Sequence, residues 1–220
     1  MPLEALAAAS SRAGPGEACD DSTLVTGRIF AVADGADTGA GAGRQALAHL
    51  HRFLGAYPTA RNLARALNAV NFALWQRDDG KGALRSTITA AVLLGSRLAI
   101  GHVGDSRAYL LRGHRAYRLT FDVRARDSAR PDDNVPRLGY RPPEATPHVR
   151  RYLIHHGDRL ILCTDGLWRG VSIRDLSLTA SLDPRAASEV LCARSDTQEE
   201  SSVVVVDFSE VSPTVPDLSP

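Results

Sequence analysis

Acidic side chains stand at the ends of apolar runs in several places along this chain. Asp34 closes Ile29 to Ala33, Asp165 closes Leu160 to Thr164, and Asp105 sits in the turn Gly104-Asp105-Ser106-Arg107. Asp20 and Asp21 precede the first clear apolar run, and Glu199 and Glu200 precede Val203 to Val206. Carboxylates that converge can share two divalent cations about 3.5–4 Å apart, which activate water and hold a phosphoryl group. Hard cations such as Mg2+ and Mn2+ favour such oxygen donors. The same residues have a plainer reading. Asp-Gly is a strong hairpin signal, so Asp34-Gly35 and Asp165-Gly166 are also ordinary turn sequences. Glu199-Glu200 reads equally as a solvated helix end. His155 and His156 look like a ligand pair, but neighbours on a strand point to opposite faces, so they read as surface or packing residues.

Bringing these groups together requires buried strands that end at one place. The pattern predicts a strand over 28–33, then helices over 44–54 and 60–76, the second capped by Thr59 and carrying an apolar stripe of Leu63, Leu67, Val70, Phe72 and Leu74. Short β-type runs follow at 86–94, 98–103, 107–111 and 116–119, joined by connections tight enough for an antiparallel meander. Residues 122–147 read as a long polar surface loop. A hairpin over 149–154 and 158–163, helices near 172–181 and 184–193, and a last strand over 202–208 complete the order. The first two dozen residues have weak periodicity, with room for one edge strand and a loop. Strand runs separated by helix pairs predict an α+β fold of antiparallel layers rather than βαβ units.

The bulk properties narrow the setting. A chain of 220 residues suits one well-cored domain, expected over 1–210, with a flexible Ser/Pro/Asp-rich tail over 211–220. A formal net charge of +1 supplies no general field for nucleic acid or an anionic membrane, so any attraction for phosphate must be local. No run nears the roughly 18 apolar residues of a membrane span. Three scattered cysteines, Cys19, Cys163 and Cys192, argue against a disulfide framework or a zinc site. The apolar stretch Leu3 to Ala8 is short for a signal-peptide core and has no basic leader, so the expected location is the cytoplasm.

Several segments resemble the type-2C (PPM) metal-dependent protein phosphatases. Val32-Ala33-Asp34-Gly35 is similar to the family's VADG motif, and Val103-Gly104-Asp105-Ser106-Arg107-Ala108-Tyr109-Leu110 to its VGDSRAYL turn. Gly157 to Trp168 resembles GDRLLLCSDGLW, Arg118-Leu119-Thr120 with Asp122 resembles LTxDH, and Asn134 to Gly139 resembles the stretch ending in LG. Ser86 to Ala91 and Val203 to Val206 are similar to the GTT and TVVVV strands, and all matches fall in the family's order over about residues 10–208. The resemblance implies a β-sandwich of two antiparallel sheets flanked by helix pairs. It implies hydrolysis of phosphoserine or phosphothreonine on proteins, by metal-activated water attacking phosphorus, with two or three Mn2+ or Mg2+ ions. The substrate would be a phosphoprotein, the target of a Ser/Thr kinase. Residue by residue, it implies that Asp34 bridges two ions with the Gly35 carbonyl beside it, and that Asp165 holds the first. Asp20 and Asp21 would form the early acidic pair, and Asp105 would bind an auxiliary ion or orient water.

The chain also departs from the family pattern. Glu199-Glu200 replaces the closing Asp-Asn, which puts Glu199 in the place of a direct ligand. Gly16 stands where the family has its phosphate-gripping arginine, leaving Arg12 as the nearest candidate. Ala36-Asp37-Thr38-Gly39 leaves no counterpart for the catalytic-acid histidine, and Val123 replaces the His of LTxDH. These losses keep open an alternative: a weak or inactive relative that serves as a phosphoprotein-binding or regulatory module.

Overall fold

The structure, a computed structural model, describes residues 2–14, 19–35, 41–55, 58–78, 84–122, 135–141, 145–195 and 198–211. Among the described residues ten strands form two five-stranded antiparallel sheets. One sheet holds β1 (Leu3–Arg12), β10 (Ser201–Glu210), β9 (Arg159–Cys163), β6 (Arg107–Arg112) and β7 (Arg115–Arg118), in that spatial order. The other holds β2 (Ser22–Val25), β3 (Ile29–Ala33), β4 (Ile88–Leu94), β5 (Arg97–Val103) and β8 (His148–Leu153).

The unbroken apolar runs follow from burial of both faces. Side chains alternate along a strand, so Phe30 and Val32 of β3 point into the layer between the sheets with Val204, Val206 and Phe208 of β10. Ile29, Ala31 and Ala33 point the other way, onto α1 (Ala42–Leu54) and α2 (Ala60–Asp78). Val203 and Val205 meet the helices of the opposite side, α3 (Asp165–Gly170), α4 (Ile173–Leu178) and α5 (Pro184–Arg194). Each fully buried Val or Leu contributes about 1.5–3 kcal/mol by leaving water. The result is an α+β sandwich in four layers, helices outside and sheets inside.

Local chemistry sets the helix starts. The Asn62 amide donates to Thr59 Oγ1 at 3.1 Å ahead of α2. Ser172 and Asp175 form a reciprocal capping box on α4, and Asp183 caps α5 just before Pro184. The buried stripe of α2 runs Leu63, Ala66, Leu67, Val70, Asn71 and Leu74, a 3.6-residue period. Phe72, expected in that stripe, lies out of phase and is 45% exposed.

Two connections differ from expectation. The turn Gly104-Asp105-Ser106 does not continue a meander: β5 and β6 belong to different sheets, so this turn crosses from one to the other. The strands β8 and β9 likewise form no hairpin, since β8 pairs with β5 and β9 with β6 and β10. A short link between two strands suits a hairpin or an arch equally well, and β5, β6 and β9, buried on both faces, give no alternation to tell them apart. Two further elements, β2 and α3, were not expected from the pattern. Within the long segment after Asp122, residues 123–134 and 142–144 lie outside the described set. Leu138 is bound to Ser86 by two backbone hydrogen bonds of 2.7 and 3.2 Å. The Gly139 amide donates to Asn71 Oδ1 at 2.8 Å, so α2 and β4 together anchor this stretch. The expected tail lies, apart from Val211, outside the described residues.

Candidate metal centre

Three carboxylates converge where the strands end. Asp34 follows β3, Asp105 sits in the sheet-crossing turn, and Asp165 begins α3; one carboxylate oxygen from each lies within 4.8 Å of the others. Neither Asp-Gly pair makes a hairpin turn. The Asp34 amide donates to Thr87 Oγ1 at 3.2 Å, and its carbonyl accepts from the Thr87 amide at 2.9 Å, so the residue just ahead of β4 holds it at both ends. Thr87 Oγ1 lies 2.7 Å from Ser106 Oγ, tying that residue to the Asp105 turn. Gly104 adopts φ +110, and a Cβ there would lie 2.7 Å from Thr87 Cβ, so the turn needs glycine twice over. The Asp105 carbonyl accepts from the Trp168 indole at 2.9 Å, which fastens the turn to α3.

A second group sits behind the first. Asp21 Oδ2 accepts from Thr164 Oγ1 at 2.7 Å, and Thr164 Oγ1 in turn accepts from the Ser202 amide at 2.9 Å. Glu200 Oε2 accepts from the amides of Asp20 and Asp21 at 2.8 and 3.1 Å. The Asp20 carbonyl is wedged against glycine: a Cβ would come within 2.9 Å of it at Gly35 and 2.5 Å at Gly43. At Gly166 a Cβ would come within 1.9 Å of the Glu200 carbonyl, so this Asp-Gly pair is set by close packing.

Crowding shows in the acid–base behaviour. Burial, then the charges of Asp165 and Asp21, push the Asp34 carboxyl well above the usual carboxylate range, and Arg137 pulls it part of the way back. Burial and Asp165 raise Asp105 to about 6, opposed by Arg137 and Arg169. Burial raises Asp21 to about 7 against the Thr164 hydrogen bond, with Glu200 and Asp165 adding to the rise. Among the described residues Oδ1 of Asp105 has no hydrogen-bond partner although it is buried. Clustered anionic oxygens, one of them orphaned, fit a hard divalent cation by charge and donor type.

A family model matches this chain over residues 9–202, that of Protein phosphatase 2C. The chain belongs to the protein phosphatase 2C family. The Ser/Thr protein phosphatase PstP of Mycobacterium tuberculosis is 30% identical over 86% of this chain and 42% of that protein. The chain therefore spans less than half the length of that relative. A probable protein phosphatase 2C of Oryza sativa is 33% identical over 51% of the chain and 36% of its own length. The solved catalytic domain of PstP, in complex with two manganese ions, superposes with a TM-score of 0.78 at 28% identity, covering 94% of this chain and all of that one. The Mycobacterium smegmatis phosphatase MsPP gives 0.80 at 25% identity, over 92% and 97% of the two chains.

Within this phosphatase 2C framework the remaining expected residues are distributed unevenly. Asp20 and Asp21 are buried behind the three-aspartate group, and Gly35 lies against the Asp20 carbonyl. Glu199 is not brought into the group; its carboxylate lies on the Arg169 guanidinium at 2.8 and 3.0 Å, and Glu200 is the one that turns inward. Both glutamates precede β10, so their directions are set by their partners, Arg169 for one and the Asp20 and Asp21 amides for the other. Arg12 is also absent from the group. Its pairing with Ser201 at the end of β1 directs the guanidinium to the Ser195 carbonyl beyond α5, 3.1 Å away, where a cation suits a helix C-terminus. The positions read as missing an arginine and two histidines, Gly16, Ala36–Gly39 and Val123, lie outside the described residues. The sequence reading overlooked Arg137, although it stands in the LG-ending stretch. The Leu138–Ser86 bridge ties its segment to the residue before Thr87, and its charge acts on Asp34.

Proposed function

We propose that this chain hydrolyses phosphoserine and phosphothreonine on proteins, with Mn2+ or Mg2+ held by Asp34, Asp105 and Asp165. The convergence of these three carboxylates, with an orphaned oxygen at Asp105, carries the reading. When bound, such ions polarise phosphoryl oxygens and lower the pKa of water. The family membership and the two manganese ions of the PstP domain support it.

The chain's own residues do the positioning. Thr87 fixes Asp34 through backbone and hydroxyl, Trp168 fixes the Asp105 turn, and the helix start fixes Asp165, so the donors are set before a ligand arrives. Asp34 and Asp165 remain partly open to solvent, which leaves the group accessible to a bulky phosphoprotein. The Arg137 charge acts on both Asp34 and Asp105, and its Nε is buried without a hydrogen-bond partner among the described residues, so its planar fork is available to take phosphate oxygens in pairs. The binding-module alternative rests on the joint loss of the arginine, the histidine and the closing Asp-Asn; a guanidinium supplied by Arg137 answers the first of these and favours the enzyme.

Initial rates of phosphate release from a phosphothreonine peptide, across a Mn2+ titration and in EDTA, test this. Release is expected with Mn2+ and none in EDTA; no release at any metal concentration would overturn the reading. Arg137→Ala should raise KM about tenfold, the loss of about 1.4 kcal/mol of binding, with Mn2+ affinity no weaker than in the wild type. An unchanged KM would remove Arg137 from the phosphate site. The substrate is in this reading the target of a Ser/Thr kinase in the cytoplasm. Among the described residues no helix is long and apolar enough to cross a membrane.

A further inference from the structure

Arg169 stands one helical turn after Asp165 and bridges two acidic groups that the sequence placed in the metal site. Its Nη2 lies 3.0 Å from Asp165 Oδ2, while Nη1 meets both oxygens of Glu199 at 2.8 and 3.0 Å. Its charge reaches Asp105 as well. The side chain is 47% exposed, so water can receive it when it leaves, and Glu199 is 39% exposed. Among the described residues Arg169 is the side chain bonded to the Glu199 carboxylate, while the Glu199 Cβ lies close to Gly166, the residue after Asp165.

We propose that Arg169 sets the metal affinity of the centre, by holding Asp165 and Glu199 in an ion pair that a divalent cation must break. This rests on the metal centre argued above. A guanidinium and a metal ion compete for the same carboxylate oxygen of Asp165, because an oxygen engaged by N–H donors offers less charge to a cation. Once freed, Glu199, which immediately precedes the inward-facing Glu200 and lies against Gly166 beside Asp165, can turn inward as an additional donor. Glu199 is in this account a latent ligand, kept out by its partner rather than by its extra methylene.

Mn2+ binding, measured by calorimetry and by loss of the free-ion electron paramagnetic resonance signal, tests this without recourse to turnover. Two partly exposed ion pairs are individually weak, so Arg169→Met should tighten Mn2+ binding by about tenfold rather than by orders of magnitude. Arg169→Lys, which keeps the charge but not the two-nitrogen bridge, should fall between wild type and Arg169→Met. The double variant Arg169→Met with Glu199→Gln should lose most of the gain, because the freed carboxylate is gone. Melting in EDTA checks that each variant is folded. An unchanged or weakened affinity in Arg169→Met would overturn the proposal. So would a gain retained in full by the double variant, since Arg169 would then act by repulsion alone. No Mn2+ binding by wild type or any variant would instead refute the metal centre, and this proposal with it.

Discussion

Asp34→Asn is expected to leave the protein folded, raise its melting temperature in EDTA, and remove at least about 99% of metal-dependent phosphate release. The backbone bonds that hold residue 34 to Thr87 survive the change, and Asn matches Asp in shape. What disappears is a charge at the point where Asp165, Asp21 and Asp105 all repel it. Removing one preorganised electrostatic group from a reaction centre costs on the order of a hundredfold to a thousandfold in rate. The stability effect has the opposite sign and depends on pH. Asp34, Asp105 (about 6) and Asp21 (about 7) all bind protons more tightly in the folded, metal-free protein than in the unfolded chain. Their folded form is therefore favoured at low pH, and that stability is lost as pH rises from about 4 through about 7. The Asn variant has one fewer such group, so its melting temperature should fall less over this window. A few kcal/mol or less of relief amounts to about 5 °C at this chain length, taking about 2–4 °C per kcal/mol. Calorimetric melting in EDTA at pH 5 and pH 8, beside Mn2+ titrations, reads both effects. Wild-type Mn2+ affinity in the variant would show that Asp34 is no ligand.

Glu200→Ala should be the most damaging change to stability, lowering the melting temperature by about 6–12 °C. One carboxylate oxygen, delivered by the entry to β10, receives the amides of Asp20 and Asp21 from the other end of the chain. Hydrogen bonds to a charged acceptor contribute about 1.5–3 kcal/mol each, and a shared oxygen makes about 3 kcal/mol a fair total, or about 6–12 °C by the same conversion. Alanine strands both donors in a buried place. Relief of repulsion between Glu200 and Asp21 works the other way. It is small below pH 7, where Asp21 is largely protonated, so the comparison belongs at pH 6. Glu200→Gln keeps a neutral acceptor and should lose less than half as much. Metal affinity should fall in the alanine variant too, because the Asp20 carbonyl seats Gly35 and Asp21 lies behind the aspartate group. An alanine variant that melts like wild type would mean the two amides find water instead.

Much of the site was legible because its chemistry demands particular residues at particular breaks. An acid directly after an apolar run, followed by glycine, marks Asp34 and Asp165, and the Gly104-Asp105-Ser106 turn marks Asp105. The helices of the outer layers were legible for another reason: α2 writes its buried face in a 3.6-residue stripe, and Phe72 was misjudged by counting it as apolar without checking its phase. Arg137 escaped notice because nothing local distinguishes it from other arginines. Its place depends on two backbone bonds between Leu138 and Ser86, fifty-two positions earlier.

By itself the sequence determined most of the strands and helices, the α+β class and a set of acids at strand ends from which three converge, because strand and turn chemistry is local. Only the tertiary structure decided which turns cross between sheets, since strands buried on both faces carry no mark of which sheet they join. It alone decided that Glu200 faces inward while Glu199 goes to Arg169, because the partners of each, the Asp20 and Asp21 amides and the Arg169 guanidinium, come from distant segments. It also sent Arg12 to the end of α5 and brought Arg137 beside Asp34. A long side chain can reach several partners, and which of them it meets is settled by packing between distant segments rather than by its neighbours in the chain.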